Sequence, residues 1–449
     1  MIDATTPAFA DEHATCARDH YTGEDGAQRH AQILYLVYRE GLGPVFSSQV
    51  LSRLVSLAET GWHTNLAVFV PIGEFFRRAL RHRWRDIRAR IDDTLPGRLS
   101  RLPSPPSRAR WAWNEARLLS IWLRCRYARR DALILHCRNP MATILALRAK
   151  KSFPKARVVF DCRGISHAEY LYQNASQVSS ADNEAVLVEA DQRQNMEIRA
   201  AREADAIVCV SEAMAEYVVS EWDVPPDKIT VIPCCVDVQG FSEASSRRHA
   251  TRAELSLSDR LVVAYCGSLH RWQVPERSLE TFRQIGQLHS NAHLLSITTH
   301  PERMRHLAQE QGLSTAELTV LSVPHSEVPR YLAAADLGLL LRERSLVNRV
   351  ASPVKLGEYL ASGLPVIMSD EIGDYSDLAR RENVGLVLPC DGNHRSVEAQ
   401  LRGFLDAYWA CPETWRARCR EVARVHLDSA VHLPKIAALY DRLSREGSE

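Results

Sequence analysis

The chain is expected to fold as an α/β protein in which two doubly wound parallel sheets face each other across a cleft. Three observations carry that expectation. The 449 residues exceed what one hydrophobic core organises, since cores stop growing at about 250–300 residues. Short apolar runs bounded by turns recur along the chain, each followed by a helical pattern, and parallel strands covered on both faces read this way. A polar stretch divides those runs into two sets of equal number.

The first set comprises Ile33 to Val37, Leu66 to Val70, Ala132 to His136, Val158 to Asp161, Ala206 to Val210 and Ile229 to Pro233. The second comprises Leu261 to Cys266, Leu294 to Ile297, Leu318 to Val323, Leu337 to Leu341, Leu364 to Met368 and Val384 to Leu388. Between them Gln239 to Asp259 is polar and reads as a solvated connector. The resulting division is a polar, disordered N-terminus (1–29), a first half (30–238), the connector (239–259), a second half (260–425) and a C-terminal helix (426–449) able to cross back to the first half. Leu99 to Arg110, rich in Ser, Pro and Arg, reads as an exposed loop.

Composition narrows the function. Lys plus Arg (56) and Asp plus Glu (55) almost cancel, which argues against a nucleic-acid partner. Eleven cysteines without a Cys-x-x-Cys pair read as buried thiols of a reducing compartment rather than disulfides or a zinc site. No apolar run reaches the ~18 residues of a bilayer span, and no signal-peptide pattern opens the chain, so a cytoplasmic location is expected.

In open α/β sheets ligands sit beyond the carboxyl ends of the strands. The segment Ser352 to Ile367 reads as a helix followed by a strand, with Ser352 as N-cap, Pro353 in the first turn and Gly363 at the left-handed C-terminal position. Lys355 and Glu358, three apart, project together near the helix start, where free amides and the helix dipole favour a diphosphate. Lys355 adds a cation, and Glu358, an acceptor-only carboxylate, suits two vicinal ribose hydroxyls. The competing reading is a surface i,i+3 ion pair.

The order of residues in this segment, Pro353-Val-Lys-Leu-Gly-Glu-Tyr-Leu-Ala-Ser-Gly-Leu-Pro-Val366, resembles the family-four retaining glycosyltransferases of GT-B fold. Ala204 to Glu212, Val231 to Asp237, Tyr265 to Gln273 and Leu332 to Leu339 resemble the same family. The resemblance implies that Glu358 holds the donor ribose and that Arg271 and Lys355 act on the leaving diphosphate. It places Gly267, Ser268 and Pro353 around the donor, with Asn348, Arg349 or Ser352 expected to take over the sugar contacts of a family glutamate that this chain lacks. It departs where many members carry a glutamate eight residues before Glu358, here Val350, and an arginine at Ser268.

In the first half, Gly41 and Gly43 follow the first strand and would let the backbone approach a ligand. Phe46 interrupts a Gly-x-Gly-x-x-Gly pattern and strand two ends Phe69-Val-Pro71 without an acidic residue, which disfavours a nicotinamide enzyme. His136 and Arg138 after one strand, and Arg163, His167 and Glu169 after the next, are expected to rim the cleft on the acceptor side, with His167 and Glu169 orienting the acceptor hydroxyl or serving structure alone.

These readings converge on transfer of a sugar, with retention, from a nucleotide-sugar donor to a saccharide or lipid-linked acceptor in surface polysaccharide or glycoconjugate synthesis. No Asp-x-Asp occurs in the chain, so neither a metal nor another cofactor is expected. The alternatives are a sugar-nucleotide epimerase or hydrolase on the same fold, and a catalytically silent scaffold. Within 75–91, Phe76, Leu80, Trp84, Ile87 and Ile91 share one helix face against Arg77, Arg78, Arg81, Arg85 and Arg88. That pattern suits either docking on an anionic membrane surface at the cytoplasmic face or packing on the first sheet.

Overall fold

The computed structural model describes residues 31–40, 46–77, 84–85, 87–89, 91–92, 98–105, 112–127, 132–174, 180–390 and 394–446. The first half holds a seven-stranded parallel sheet. Its strands are β1 (Gln32–Tyr38), β2 (His63–Pro71), β3 (Leu99–Ser104), β4 (Leu133–Arg138), β5 (Ala156–Cys162), β6 (Ala206–Cys209) and β7 (Ile229–Val231), in the order β3-β2-β1-β4-β5-β6-β7. The second half holds six parallel strands, β8 (Leu261–Cys266), β9 (Ala292–Ile297), β10 (Leu318–Leu321), β11 (Leu337–Leu340), β12 (Val366–Ser369) and β13 (Gly385–Leu388), in the order β10-β9-β8-β11-β12-β13. Strand order reverses beside β1 in one sheet and beside β8 in the other, which puts a crevice at β1/β4 and another at β8/β11.

Both faces of β1 are covered, which is why it reads as an unbroken apolar run. Leu34 and Leu36 pack on helices Ala112–Tyr127 and Pro140–Lys150. On the other face Ile33 meets Leu439, Tyr440 and Leu443 of the terminal helix Ser429–Glu446, and Tyr440 meets Trp62 edge-on at 5.6 Å between ring centres. The chain therefore returns to the first half at its end. Its two crossings are tied together: Val236 N–H donates to Leu427 O at 2.9 Å and Ser429 N–H donates to Val236 O at 3.1 Å.

Three local expectations change. Leu99–Ser104 is an edge strand that buries Leu99, Leu102 and Ser104, not a loop, and 106–111 lies outside the described residues. The connector is helical, Val238–Ala244 and Arg248–Glu254 flanking a short turn, because Phe241 and Val238 bury and Arg248 and Arg252 reach the buried Asp336 at 2.6 and 3.1 Å. In 75–91, Trp84, Ile87 and Ile91 pack in the first-half core beside Val68, Val70 and Leu99, whereas Phe76 is 78 % exposed and Leu80 lies outside the described residues. The apolar face thus packs mainly on the sheet.

Ten free cysteines occur among the described residues, six of them buried. No described helix is long and apolar enough to cross a membrane.

Candidate functional site

The β8/β11 crevice is held open by one side chain. Tyr359, on helix Val354–Ala361, inserts its ring against Gly338, where a Cβ would lie 2.6 Å from the ring. Its hydroxyl accepts from Cys266 N–H at 2.8 Å and donates to Leu339 O at 3.1 Å, replacing interstrand pairing at the carboxyl ends of the two strands. The same helix starts at Val354, with Pro353 as its cap residue and no side-chain cap. Gly363 follows the helix with φ +75°, the left-handed conformation its sequence position called for.

One turn of this helix brings Lys355 and Glu358 together, Nζ to Oε2 3.6 Å apart. Glu358 is 2 % exposed and Lys355 22 % exposed, so the pair is an inward-facing one rather than a solvated surface pair. His325, after β10, takes the other carboxylate oxygen through Nε2 at 3.3 Å. Burial alone would raise the Glu358 carboxyl, but the Lys355 ammonium and His325 outweigh it and hold it below the ordinary carboxylate value. Burial opposes the charge on Lys355, yet Glu358 keeps its pKa above the ordinary lysine value. Glu358, Val354, His325, Arg330 and Arg247 line a groove of ≈ 620 Å³ between the connector helices and the second sheet. A groove of that size accommodates a nucleoside.

Gly267 follows β8 at the crevice, where a Cβ would lie 2.7 Å from Gln273 Oε1 and 3.8 Å from Lys355 Cε, so the loop passes within contact distance of the lysine. Ser268 accepts from Gln273 Nε2 at 2.8 Å. Arg271 reaches across the cleft and stacks over Tyr172 of helix Ser166–Asn174, 5.4 Å from the ring centre. This contact joins the donor-side loop to the first half.

Asn348 and Ser352 do not line the groove. Asn348 is buried, donating to Trp272 O at 3.2 Å and Glu343 O at 2.8 Å while accepting from Arg342 at 3.0 Å, so its amide fastens the Gly267 loop to the segment after β11. Ser352 accepts from Cys234 N–H at 2.9 Å and hydrogen-bonds Tyr375 at 2.7 Å. It joins the halves instead of capping the helix. Val350 is buried in the core, and its carbonyl accepts from Ser211 at 2.8 Å.

On the acceptor side, Gly41 and Gly43 lie outside the described residues. His136 lies within β4 and does not rim the cleft: it is sealed beneath the terminal helix, stacked on Tyr35 and hydrogen-bonded to Tyr440 at 2.9 Å. Burial lowers its pKa even though Asp161 lies 3.5 Å away. Arg138 pairs with Glu40 at 2.6 Å, and Arg163 pairs with Asp161 at 3.0 Å, both at strand ends. His167 is committed to Glu197 at 2.7 Å. Glu169 packs over Gly164, and burial, reinforced by Glu197, pushes its carboxyl up to about 7.

Sequence reasoning missed His325, Tyr359 as a wedge, and Arg342. Arg342 stands two residues beyond β11 with its side chain buried, and burial pushes its guanidinium down to about 10 although Tyr265 opposes the shift. The one available signal was position, since His325 and Arg342 each follow a strand of the second sheet.

Residues 57–239 match the Glycosyltransferase Family 4 profile and residues 247–425 match Glycosyl transferases group 1. D-inositol 3-phosphate glycosyltransferase of Acidothermus cellulolyticus is 25 % identical over 239 residues, 51 % of each chain, so the match spans about half the length of that relative. A glycosyltransferase from Rickettsia africae superposes with TM-score 0.64 at 12 % identity, covering 92 % of this chain and 98 % of the other. Anabaena HepE, in complex with UDP-glucose, gives TM-score 0.63 at 12 % identity over 92 % of this chain and 99 % of its own. These likenesses show the GT-B fold. With both halves matched by the paired profiles, the chain belongs to the family-four, group 1 glycosyltransferases.

Proposed function

We propose that this chain transfers a sugar, with net retention, from a nucleotide-diphosphate donor to a saccharide or lipid-linked acceptor in the synthesis of a surface polysaccharide or glycoconjugate. The observation that carries the reading is the buried Lys355–Glu358 pair at the mouth of the crevice that Tyr359 holds open. Glu358 takes the ribose hydroxyls once His325 yields an oxygen. Lys355, Arg271 and the helix amides stabilise the charge that develops on the departing diphosphate. The bond from the anomeric carbon to the phosphate oxygen breaks, the bond to the acceptor oxygen forms on the same face, and the leaving phosphate takes the acceptor proton. Glu169 orients that acceptor hydroxyl, a task His167 is too engaged to share. The absence of Asp-x-Asp supports a reaction without metal, in which these cations do the charge stabilisation. Anionic membrane contact is proposed through exposed arginines such as Arg77, Arg85 and Arg88, since most of the described apolar face is buried.

A thermal-shift series with UDP, GDP and ADP tests the donor reading. A ligand at a hundredfold excess over its Kd stabilises by about 2.7 kcal/mol, so at least one diphosphate raises Tm by several degrees. Three unchanged melting temperatures at millimolar nucleotide would overturn it. Release of nucleoside diphosphate without any acceptor would favour a hydrolase instead.

A further inference from the structure

Bound diphosphate needs more positive charge than Lys355 and Arg271 supply, because Glu358 already matches the Lys355 ammonium and Arg271 stacks over Tyr172. The Gly267 loop, where the family resemblance calls for an arginine, has Ser268 turned to Gln273. Arg342 is the unexplained cation nearby. It is 8 % exposed, and no carboxylate lies within 4.0 Å of its guanidinium among the described residues. Its Nε has no hydrogen-bond partner, and its Nη1 donates only to the neutral Asn348 amide at 3.0 Å. A buried, unmatched cation is costly, and it persists where an anion repays it.

Its position is well defined. Arg342 N–H donates to Ser369 Oγ at 2.9 Å and its carbonyl accepts from the same hydroxyl at 2.7 Å, which fixes the backbone at the end of β12. Asn348 links the guanidinium to Trp272 in the Gly267 loop, and Arg342 lies close enough to Lys355 and Tyr265 for its charge to act on both. The β8 and β11 loops converge here, at the reversal of strand order.

We propose that Arg342 is a phosphate-binding residue of the donor site, supplying from the β11 loop the charge that the Gly267 loop lacks at Ser268. The inference rests on the donor reading above. A planar guanidinium with an open Nε edge suits phosphate oxygens.

Calorimetry on the full chain, wild type against R342Q and R342K, separates the two claims. Titrants are UDP, GDP and ADP with their parent nucleosides. The expected result is a loss of about tenfold or more in R342Q for the diphosphate that wild type binds, with nucleoside affinity unchanged and partial recovery in R342K. The ligand-free Tm of R342Q stays level or rises, since an unmatched buried charge is gone while an amide still meets Asn348. Wild-type diphosphate affinity in R342Q overturns the role of Arg342 and leaves the donor reading standing. Equal losses for nucleoside and diphosphate, or a drop in ligand-free Tm or failure to fold, assign Arg342 to structure and overturn it as well. Wild type that binds no diphosphate overturns the donor reading, and this inference with it.

Discussion

Glu169→Gln probes the acceptor side through stability as well as rate. Burial first, and Glu197 second, push the Glu169 carboxyl from 4.5 up to about 7. The folded chain therefore keeps a proton that the unfolded chain has released between those two values. In that window the folded state binds more protons, so stability falls as pH rises, levels off above the folded value, and is untouched below the unfolded one. At about 1.36 kcal/mol per pH unit the ceiling is about 3.4 kcal/mol. Glu169 is half-buried and water screens it, which brings the expected effect to about 1–2 kcal/mol. The glutamine variant has nothing to ionise. Urea unfolding should find it level with wild type near about pH 4.5 and about 1–2 kcal/mol more stable at about pH 8. A stability difference of the same size at both pH values refutes the argument. If Glu169 also orients the acceptor, the stabilised variant loses kcat, and the pH–rate limb near 7 disappears with it.

Glu358 and Lys355 bear on catalysis and folding together. Lys355→Ala, Glu358→Gln and Glu358→Ala should each cut turnover by about one to three decades, and because each leaves one member of the pair without its counter-charge, each also loses stability, up to about 3–5 kcal/mol, read by urea unfolding. Undiminished turnover in the first two would dismiss the site. Vesicle sedimentation tests the membrane reading: binding should require anionic lipid, weaken with salt over a Debye length of ~8 Å, and drop when Arg77, Arg78 and Arg81 become glutamine, each contributing about 1 kcal/mol. Equal recovery on neutral and anionic vesicles leaves 75–91 as core packing alone.

Of the twelve strands that announced themselves as apolar runs, the central ones are buried between two helical layers, so their burial is written into their composition. β3 announced nothing. As an edge strand it has β2 as its single neighbour, turns Leu99, Leu102 and Ser104 inward, and tolerates Pro103 where a central strand would not. The connector was misleading for the converse reason: Arg248 and Arg252 look solvated in sequence, yet their partner Asp336 is more than eighty residues away.

The same distinction runs through the site. Lys355 and Glu358 were legible because helical spacing fixes their meeting within one turn. The surroundings of Ser352 and Asn348 were not legible, because proximity to those two residues says nothing about direction. Their hydrogen-bond partners Cys234 and Trp272 lie 118 and 76 residues away, and only the packing of two sheets against a shared helix brings these side chains to the partners through which they tie halves and loops together. Arg342 was invisible for a related reason. An arginine after a strand is ordinary in sequence; what marks this one is a charge that no carboxylate balances among the described residues, beside a Lys355 that Glu358 does match.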